Sequence, residues 1–108
     1  MTAGSDLPAF DVSVRRAPDG VVVRIEGELD VATAPRLATT LDRVIDERPR
    51  RLLVDASLLE FADVAGLAPL IRAAEELPAR AVEVRNAGRQ LRRVLGLLGL
   101  TELLPVRD

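Results

Sequence analysis

The stretch Arg51-Leu52-Leu53-Val54-Asp55 places three consecutive apolar residues between two charged ones. A short run that is apolar on both faces is typical of a central parallel strand, which is covered on both sides. The residues before Pro49 and those after Asp63 instead repeat apolar side chains at the spacing of an amphipathic helix. A buried strand between two such helices predicts an α/β domain.

Two further strands and a turn precede this unit. Residues 10–15 and 21–25 alternate apolar and polar side chains with a period of two, which indicates half-buried strands. Pro18-Asp19-Gly20 between them favours a tight turn, so we predict a hairpin. We expect Gly27 to end the second strand.

Helix signals divide the rest of the chain. We predict a first helix that begins at Thr33-Ala34-Pro35, with the Thr33 hydroxyl as its cap, and stops at Pro49. A loop over residues 56–62 leads to a second helix, which Asp63 caps and Pro78 closes.

A short strand at Val82 and Val84 follows, and then a third helix after Gly88 whose apolar stripe includes Leu91, Leu95 and Leu98. The remainder from Leu100 is too short to classify. The order of these elements predicts an α/β fold: a mixed β-sheet of four to five strands flanked by three to four α-helices.

The composition excludes several classes of function. The chain has 108 residues, enough for one domain, and a formal net charge of -2. All 15 basic residues are Arg, there is no Lys, Cys or His, and Phe10 and Phe61 are the only aromatic residues. Nucleic acid is therefore not an expected partner, because no basic patch interleaved with aromatic residues is present. Thiolate nucleophiles, histidine bases and Cys- or His-containing metal sites are also excluded.

The apolar stretches are too short for a membrane span. The longest uncharged ones, residues 64–71 and 94–100, fall well below the roughly 18 residues that a spanning helix needs. Residues 1–8 carry Asp6 and no apolar core, so they do not resemble a secretory signal. We expect a cytoplasmic protein without direct membrane insertion, in which residues 1–8 form an N-terminal tail and residues 9–108 the domain.

Acidic residues follow the strands at one edge of the predicted sheet. Glu28 and Asp30 come after the second strand, Asp55 ends the third, and Glu60 and Asp63 precede the second helix. Oxygen ligands of this kind suit Mg²⁺, so a phosphoryl-transfer enzyme is one interpretation. The chain has no Lys to hold a phosphoryl group and no acidic pair after the first strand. We therefore expect a protein that is not an enzyme and needs no cofactor or metal.

The entrance of the second helix has unusually small side chains. After Asp63 come Val64, Ala65 and Gly66, none of which carries a polar side-chain atom. If Ala65 is exposed, the surface there is smooth and ringed by carboxylates, which favours docking over catalysis. We predict a partner-binding face with Glu28 and Asp30 on one side and Asp63, Val64, Ala65 and Gly66 on the other.

Four segments of the chain together resemble a known family, the STAS domains of sulfate transporters and anti-sigma factor antagonists. They are Gly27-Glu28-Leu29-Asp30 followed by Ala32-Thr33-Ala34-Pro35, then Leu53-Val54-Asp55-Ala56-Ser57, then Phe61-Ala62-Asp63 with Gly66-Leu67, and finally Leu98-Gly99-Leu100. The resemblance covers nearly the whole chain. It implies a STAS-like mixed sheet flanked by helices, and a protein-binding role in a partner switch.

The resemblance also implies a class of partner. Bacterial antagonists of this type bind an anti-sigma factor, a serine kinase of the histidine-kinase-like ATPase fold, and thereby release a sigma factor for transcription. The kinase ends the interaction by phosphorylating a Ser or Thr two residues after an Asp. That position is Ala65 in this chain, and Val64 precedes it, so neither residue can accept a phosphate. We expect an antagonist without this off-switch, which is either constitutive or regulated elsewhere.

Two further expectations follow from the resemblance. The alternative function is that of a STAS subunit in a membrane transport complex, docking on an ATPase subunit. In addition, family members often continue into another C-terminal helix, and this chain stops at Asp108. We expect Leu100, Leu103 or Leu104 to be partly exposed for that reason, which would favour a homodimer.

Overall fold

The computed structural model describes residues 9–108 and consists of a five-stranded sheet with three helices. The elements in chain order are β1 (Phe10–Ala17), β2 (Gly20–Leu29), α1 (Ala34–Asp46), β3 (Leu52–Ala62), α2 (Val64–Glu76), β4 (Val82–Arg85), α3 (Arg89–Leu97) and β5 (Val106–Arg107). The predicted N-terminal tail, residues 1–8, lies outside the described residues.

The sheet is mixed, and its spatial order follows the chain, β1-β2-β3-β4-β5. β1 and β2 form the predicted antiparallel hairpin, with Ala17 paired to Gly20 across the turn. The β2–β3, β3–β4 and β4–β5 pairs are parallel. The predicted fold class is therefore confirmed.

One face of the sheet and the inner sides of the helices form the core. Val23 and Ile25 of β2 are completely buried, as are Leu37 of α1 and Leu67 of α2. The opposite face of the first three strands is polar: Ser13, Arg24 and Asp55 lie in one row across it. The three helices start on the side of the sheet where the parallel strands end, because each follows a strand through a short connection.

The loop predicted over residues 56–62 is wrong, because β3 continues to Ala62. The register between β2 and β3 shifts twice in this part, once between Arg24 and Glu26 and again between Gly27 and Glu28. Each shift interrupts the alternation of buried and exposed side chains, which removes the pattern that indicates a strand. The prediction that Gly27 ends β2 is also wrong, because the strand continues to Leu29. Gly27 lies next to the second shift and has a positive φ of 99° inside the strand.

Thr33 directly precedes α1, as predicted, but its side chain does not cap the helix. Its hydroxyl instead donates to the Glu28 carbonyl oxygen at 2.7 Å and accepts from the Asp30 amide at 2.9 Å. A buried hydroxyl must find partners, and these two lie closer in the turn than the helix amides do. The helix stops at Asp46, shortly before Pro49.

Near the end of the chain, Leu104 is completely buried, whereas Leu100 and Leu103 are partly exposed at the edge of the core, as expected. Two leucines at the end of α3 are more exposed, Leu97 at 77% and Leu98 at 40%. Leu98 lies just beyond the helix, so it does not continue the buried stripe that Leu91 and Leu95 form.

Among the described residues, none of the helices has the length and apolar character that a membrane crossing needs.

Candidate protein-docking face

The carboxyl ends of β2 and β3 bring the two predicted parts of the face into contact. Leu29 pairs with Ala62 at the last position of the ladder, and the Asp63 amide then donates to the Leu29 carbonyl oxygen at 3.1 Å. Gly66, in the first turn of α2, lies directly against the same carbonyl. The turn after β2 and the start of α2 therefore form one continuous surface.

Asp63 is the N-cap of α2, as its sequence position predicts. Its Oδ1 accepts a hydrogen bond of 2.9 Å from the Gly66 amide, one of the donors that have no partner within the helix. Its backbone is extended, which is the usual conformation of a cap. The half-buried carboxylate thus organises the start of the helix while one side of it faces the surface.

Asp30 has a similar structural role at the start of α1. Its Oδ1 accepts from the Ala32 amide at 2.9 Å and from the Thr33 amide at 3.1 Å. These bonds order the turn that leads into α1, whereas the helix itself has no side-chain cap. Glu28, two residues earlier, is exposed at the end of β2, and only its backbone carbonyl joins this network.

The three residues after Asp63 differ in accessibility. Val64 is 58% exposed and Ala65 is exposed, so both face solvent at the entrance of α2. Gly66 is buried beneath them. A partner can therefore contact Val64 and Ala65 directly, whereas Gly66 contributes by letting the helix approach the turn.

Three exposed apolar side chains of this part of the molecule were missed by sequence reasoning. Val31 is 74% exposed, Leu58 is 45% exposed and Phe61 is 39% exposed. Phe61 lies opposite Glu28 in the β2–β3 ladder. The exposure of Phe61 depends on the register of β3, in a segment that the sequence assigned to a loop, and the exposure of Val31 has no signal in the sequence.

A shallow groove between α1 and α2 extends the face. The groove has a volume of about 520 Å³. Val31 and Ala65 line one part of it, together with Ala34, Ala38 and Ala68. The groove is therefore lined mainly by small apolar side chains and opens next to Ala65.

The remaining candidate acid, Asp55, lies away from this face. It forms an ion pair with Arg24, with 3.2 Å between Oδ2 and Nε, and its Oδ1 accepts from the Ser57 amide at 3.0 Å. Burial alone would raise the pKa of Asp55, but the hydrogen bonds from Ser57 and Arg24 outweigh it and hold the pKa below its ordinary value.

The acids of residues 9–108 do not gather into a metal site. No group of three Asp or Glu side chains in this part of the chain is arranged to hold an ion. Asp30 orders the turn before α1, Asp63 caps α2, and Asp55 is paired with an arginine. The arrangement that the structure offers at this edge is an apolar surface with an acidic rim, which is suited to protein contact.

A family model described as "Mlab, STAS domain" matches residues 12–105. The chain belongs to the STAS domain family. No curated protein sequence matches this STAS domain significantly.

Solved structures confirm the predicted resemblance to STAS domains of the anti-sigma antagonist type. An anti-sigma factor antagonist from Mycobacterium paratuberculosis is 30% identical, with a TM-score of 0.85 over 93% of this chain and 86% of that one. The antagonist SpoIIAA in its unphosphorylated form is 21% identical, with a TM-score of 0.68 over 93% of this chain and 88% of that one. The Bacillus cell fate determinant SpoIIAA in its phosphorylated form is 22% identical, with a TM-score of 0.65 over 93% and 92%. The two SpoIIAA structures share the fold of this STAS domain.

Proposed function

We propose that this STAS domain is a non-enzymatic antagonist that binds an anti-sigma factor of the serine-kinase type in the cytoplasm. The binding face consists of Glu28 and Asp30 on one side and residues 63–66 on the other. The observation that carries the proposal is the exposed Val64-Ala65 pair at the start of α2, beside the Asp30 turn. It occurs on a chain 30% identical to an anti-sigma factor antagonist.

The chemistry of the face favours a partner with complementary features. Val31, Phe61 and Val64 offer apolar contact area, and Glu28 and Glu60 are exposed near it. Interfaces commonly combine an apolar centre with a charged rim that sets orientation and the rate of encounter. We expect the matching surface of the anti-sigma factor to be apolar and bordered by basic side chains.

The position of Ala65 determines how such a complex would be regulated. A phosphate on a Ser or Thr at this position would add about 1.5 to 2 negative charges beside the Asp63 carboxylate. Such a bulky, charged group would prevent close packing of an apolar partner surface against Val64. Ala65 has no hydroxyl, so the domain keeps the docking-competent form, and release of the partner depends on another component.

Affinity capture with three baits tests this function. The wild-type chain and the variants Ala65→Glu and Ala79→Glu are each immobilised and incubated with native cell lysate. The bound proteins are then identified by mass spectrometry. Ala79 is also exposed but lies beyond the other end of α2, so its variant controls for the added charge. We expect wild type and Ala79→Glu to retain a serine-kinase-type anti-sigma factor and Ala65→Glu to lose it. Equal retention by all three baits would contradict the proposed face.

A second candidate is the STAS subunit of a membrane transport complex, which membership of the STAS family also admits. In that role the same face would dock on an ATPase subunit, and the missing acceptor hydroxyl would need no explanation. The capture experiment separates the two functions, because recovery of a transporter ATPase subunit in place of an anti-sigma factor would support the second.

A further inference from the structure

We propose that Gln90 is a positioning residue for the docking face, because its side-chain amide fixes the last residue of β3 and thereby the start of α2. Gln90 belongs to the first turn of α3 and does not form part of the face itself. The effect on partner binding rests on the function proposed above, whereas the effect on backbone order does not.

The need for such a residue arises from the unequal lengths of β3 and β4. β3 extends from Leu52 to Ala62, but its ladder with β4 ends at the pair Asp55 and Arg85. Beyond Asp55, β2 is the one strand with which β3 pairs among the described residues. The end of β3 therefore needs partners for its polar backbone groups on the side away from β2.

Gln90 supplies these partners at Ala62. Its Oε1 accepts from the Ala62 amide at 3.0 Å, and its Nε2 donates to the Ala62 carbonyl oxygen at 2.8 Å. The primary amide thus makes the same pair of hydrogen bonds that a residue of an added strand would make. Both bonds are partly buried, which increases the cost of losing them.

The contact is transmitted to the docking face through consecutive residues. Ala62 is followed by Asp63, whose amide donates to the Leu29 carbonyl oxygen and whose carboxylate caps α2 through the Gly66 amide. Val64 and Ala65 lie between these two anchors. Displacement of Ala62 would therefore move the cap and the exposed pair together.

Two substitutions separate the amide's hydrogen bonds from its packing. Gln90→Met keeps a long unbranched side chain but has no strong donor or acceptor. Gln90→Glu keeps the length and shape but, when ionised, cannot donate to the Ala62 carbonyl. A protonated glutamic acid can both donate and accept, so acidification through the pKa of glutamate, about 4.3, should restore the pair of bonds. Arg89→Met, an exposed neighbour in the same helical turn, is the matched control.

Hydrogen exchange of single amides provides the first measurement, with rates corrected for the intrinsic effect of pH. In Gln90→Met we expect the amides of Ala62, Asp63 and Gly66 to exchange about ten-fold faster than in wild type, with no change in Arg89→Met. In Gln90→Glu we expect the same increase at pH 7 and a return to wild-type protection near pH 4. Faster exchange at Ala62 alone, with Asp63 and Gly66 unchanged, would overturn the proposal even if both variants fold.

Affinity for the captured anti-sigma factor provides the second measurement. We expect about ten-fold weaker binding for Gln90→Met and wild-type affinity for Arg89→Met. Unchanged affinity in Gln90→Met would overturn the positioning role. If wild type binds no anti-sigma factor, the proposed function fails, and the exchange data alone then decide whether Gln90 orders the start of α2.

Discussion

The α-carbon of Gly66 faces the carbonyl oxygen of Leu29 so closely that a β-carbon added there would lie 2.1 Å from that oxygen. This distance is far below any van der Waals contact, so the residue at this position must be glycine unless the backbone moves. The contact joins the end of β2 to the first turn of α2. The relative position of the two sides of the docking face therefore depends on one missing methyl group.

Gly66→Ala should destabilise the domain by about 2 to 3 kcal/mol, because the three atoms that the added β-carbon would meet all belong to the backbone of Leu29 and Asp30 and cannot rotate away. Chemical denaturation with urea measures this change. Gly96→Ala is the matched control, since Gly96 also lies in a helix but has no atom within 4 Å of the added β-carbon. It should stabilise the domain by roughly 0.5 to 1 kcal/mol. A loss of stability in both variants would argue against the tight contact.

Asp63→Ala should lower the free energy of unfolding by about 1 kcal/mol, because the Gly66 amide loses its acceptor. Asp63→Asn keeps an oxygen that can cap the helix and removes only the charge. We therefore expect near wild-type stability from Asp63→Asn in the same urea titration. Its affinity for the anti-sigma factor then reports whether the negative charge contributes to binding.

Ala65→Ser should make the domain a substrate of a partner that is an active serine kinase. Ala65 is exposed in the first turn of α2, so an added hydroxyl would be accessible. Incubation with the captured kinase and labelled ATP should place phosphate on Ala65→Ser and none on wild type. Phosphate on the wild-type chain would show that another residue serves as acceptor and would contradict the absence of an off-switch.

Asp55→Asn should reduce stability at neutral pH, and the difference from wild type should disappear in acid. The native pKa of Asp55 is lowered by its hydrogen bonds with Ser57 and Arg24. The ionised form therefore stabilises the fold above the unfolded pKa, about 3.9, and this contribution is lost as the pH falls through the lower native value. Urea unfolding at pH 7 and at successively lower pH measures the difference. Asp19→Asn, in the exposed hairpin turn, controls for the removal of one negative charge.

Glu83→Gln should destabilise the domain by about 1 to 2 kcal/mol. The Glu83 carboxylate is 6% exposed and pairs with Arg51 at 2.9 Å, Arg107 at 3.4 Å and Arg85. Arg85 and Arg107 occupy opposed positions on β4 and β5, so neutralising the carboxylate leaves their repulsion without compensation. Because the arginines are partly exposed, added salt should narrow the difference in unfolding free energy from wild type. If the difference in unfolding free energy does not depend on salt, Glu83 stabilises the domain through packing and not through its charge.

Local patterns in the sequence predicted most of the fold. A periodic pattern of apolar residues or a stop signal within a few residues marks the hairpin, the three helices and the centre of β3. The second half of β3 lacked such a pattern because its register with β2 shifts twice. β5 was missed because it has two residues, and its strand character depends entirely on its bonds to β4.

The candidate site was predicted less completely than the fold. Asp63 has a local signature as a helix cap, and the structure confirms it. The groove that Val31 and Ala65 line together depends on where separate segments meet in space, which composition does not record. Gln90 bonds to a residue 28 positions away, and no spacing rule connects a glutamine to the backbone of a distant strand.

The two register shifts in β3 determine which changes in chain length the protein can tolerate. Ala56 and Ala62 both face the core, whereas Leu58 and Phe61 between them face outward beside Glu26 and Glu28. Each shift places one extra residue in β3, so removal of one residue at a shift would restore regular pairing with β2 and keep the facing of the residues up to Asp63. In the regular part of β3, from Leu52 to Asp55, the same removal would turn every following side chain to the other face of the sheet. Among natural homologues, single-residue insertions and deletions should therefore occur at the two shifts and be absent from the regular part of the strand.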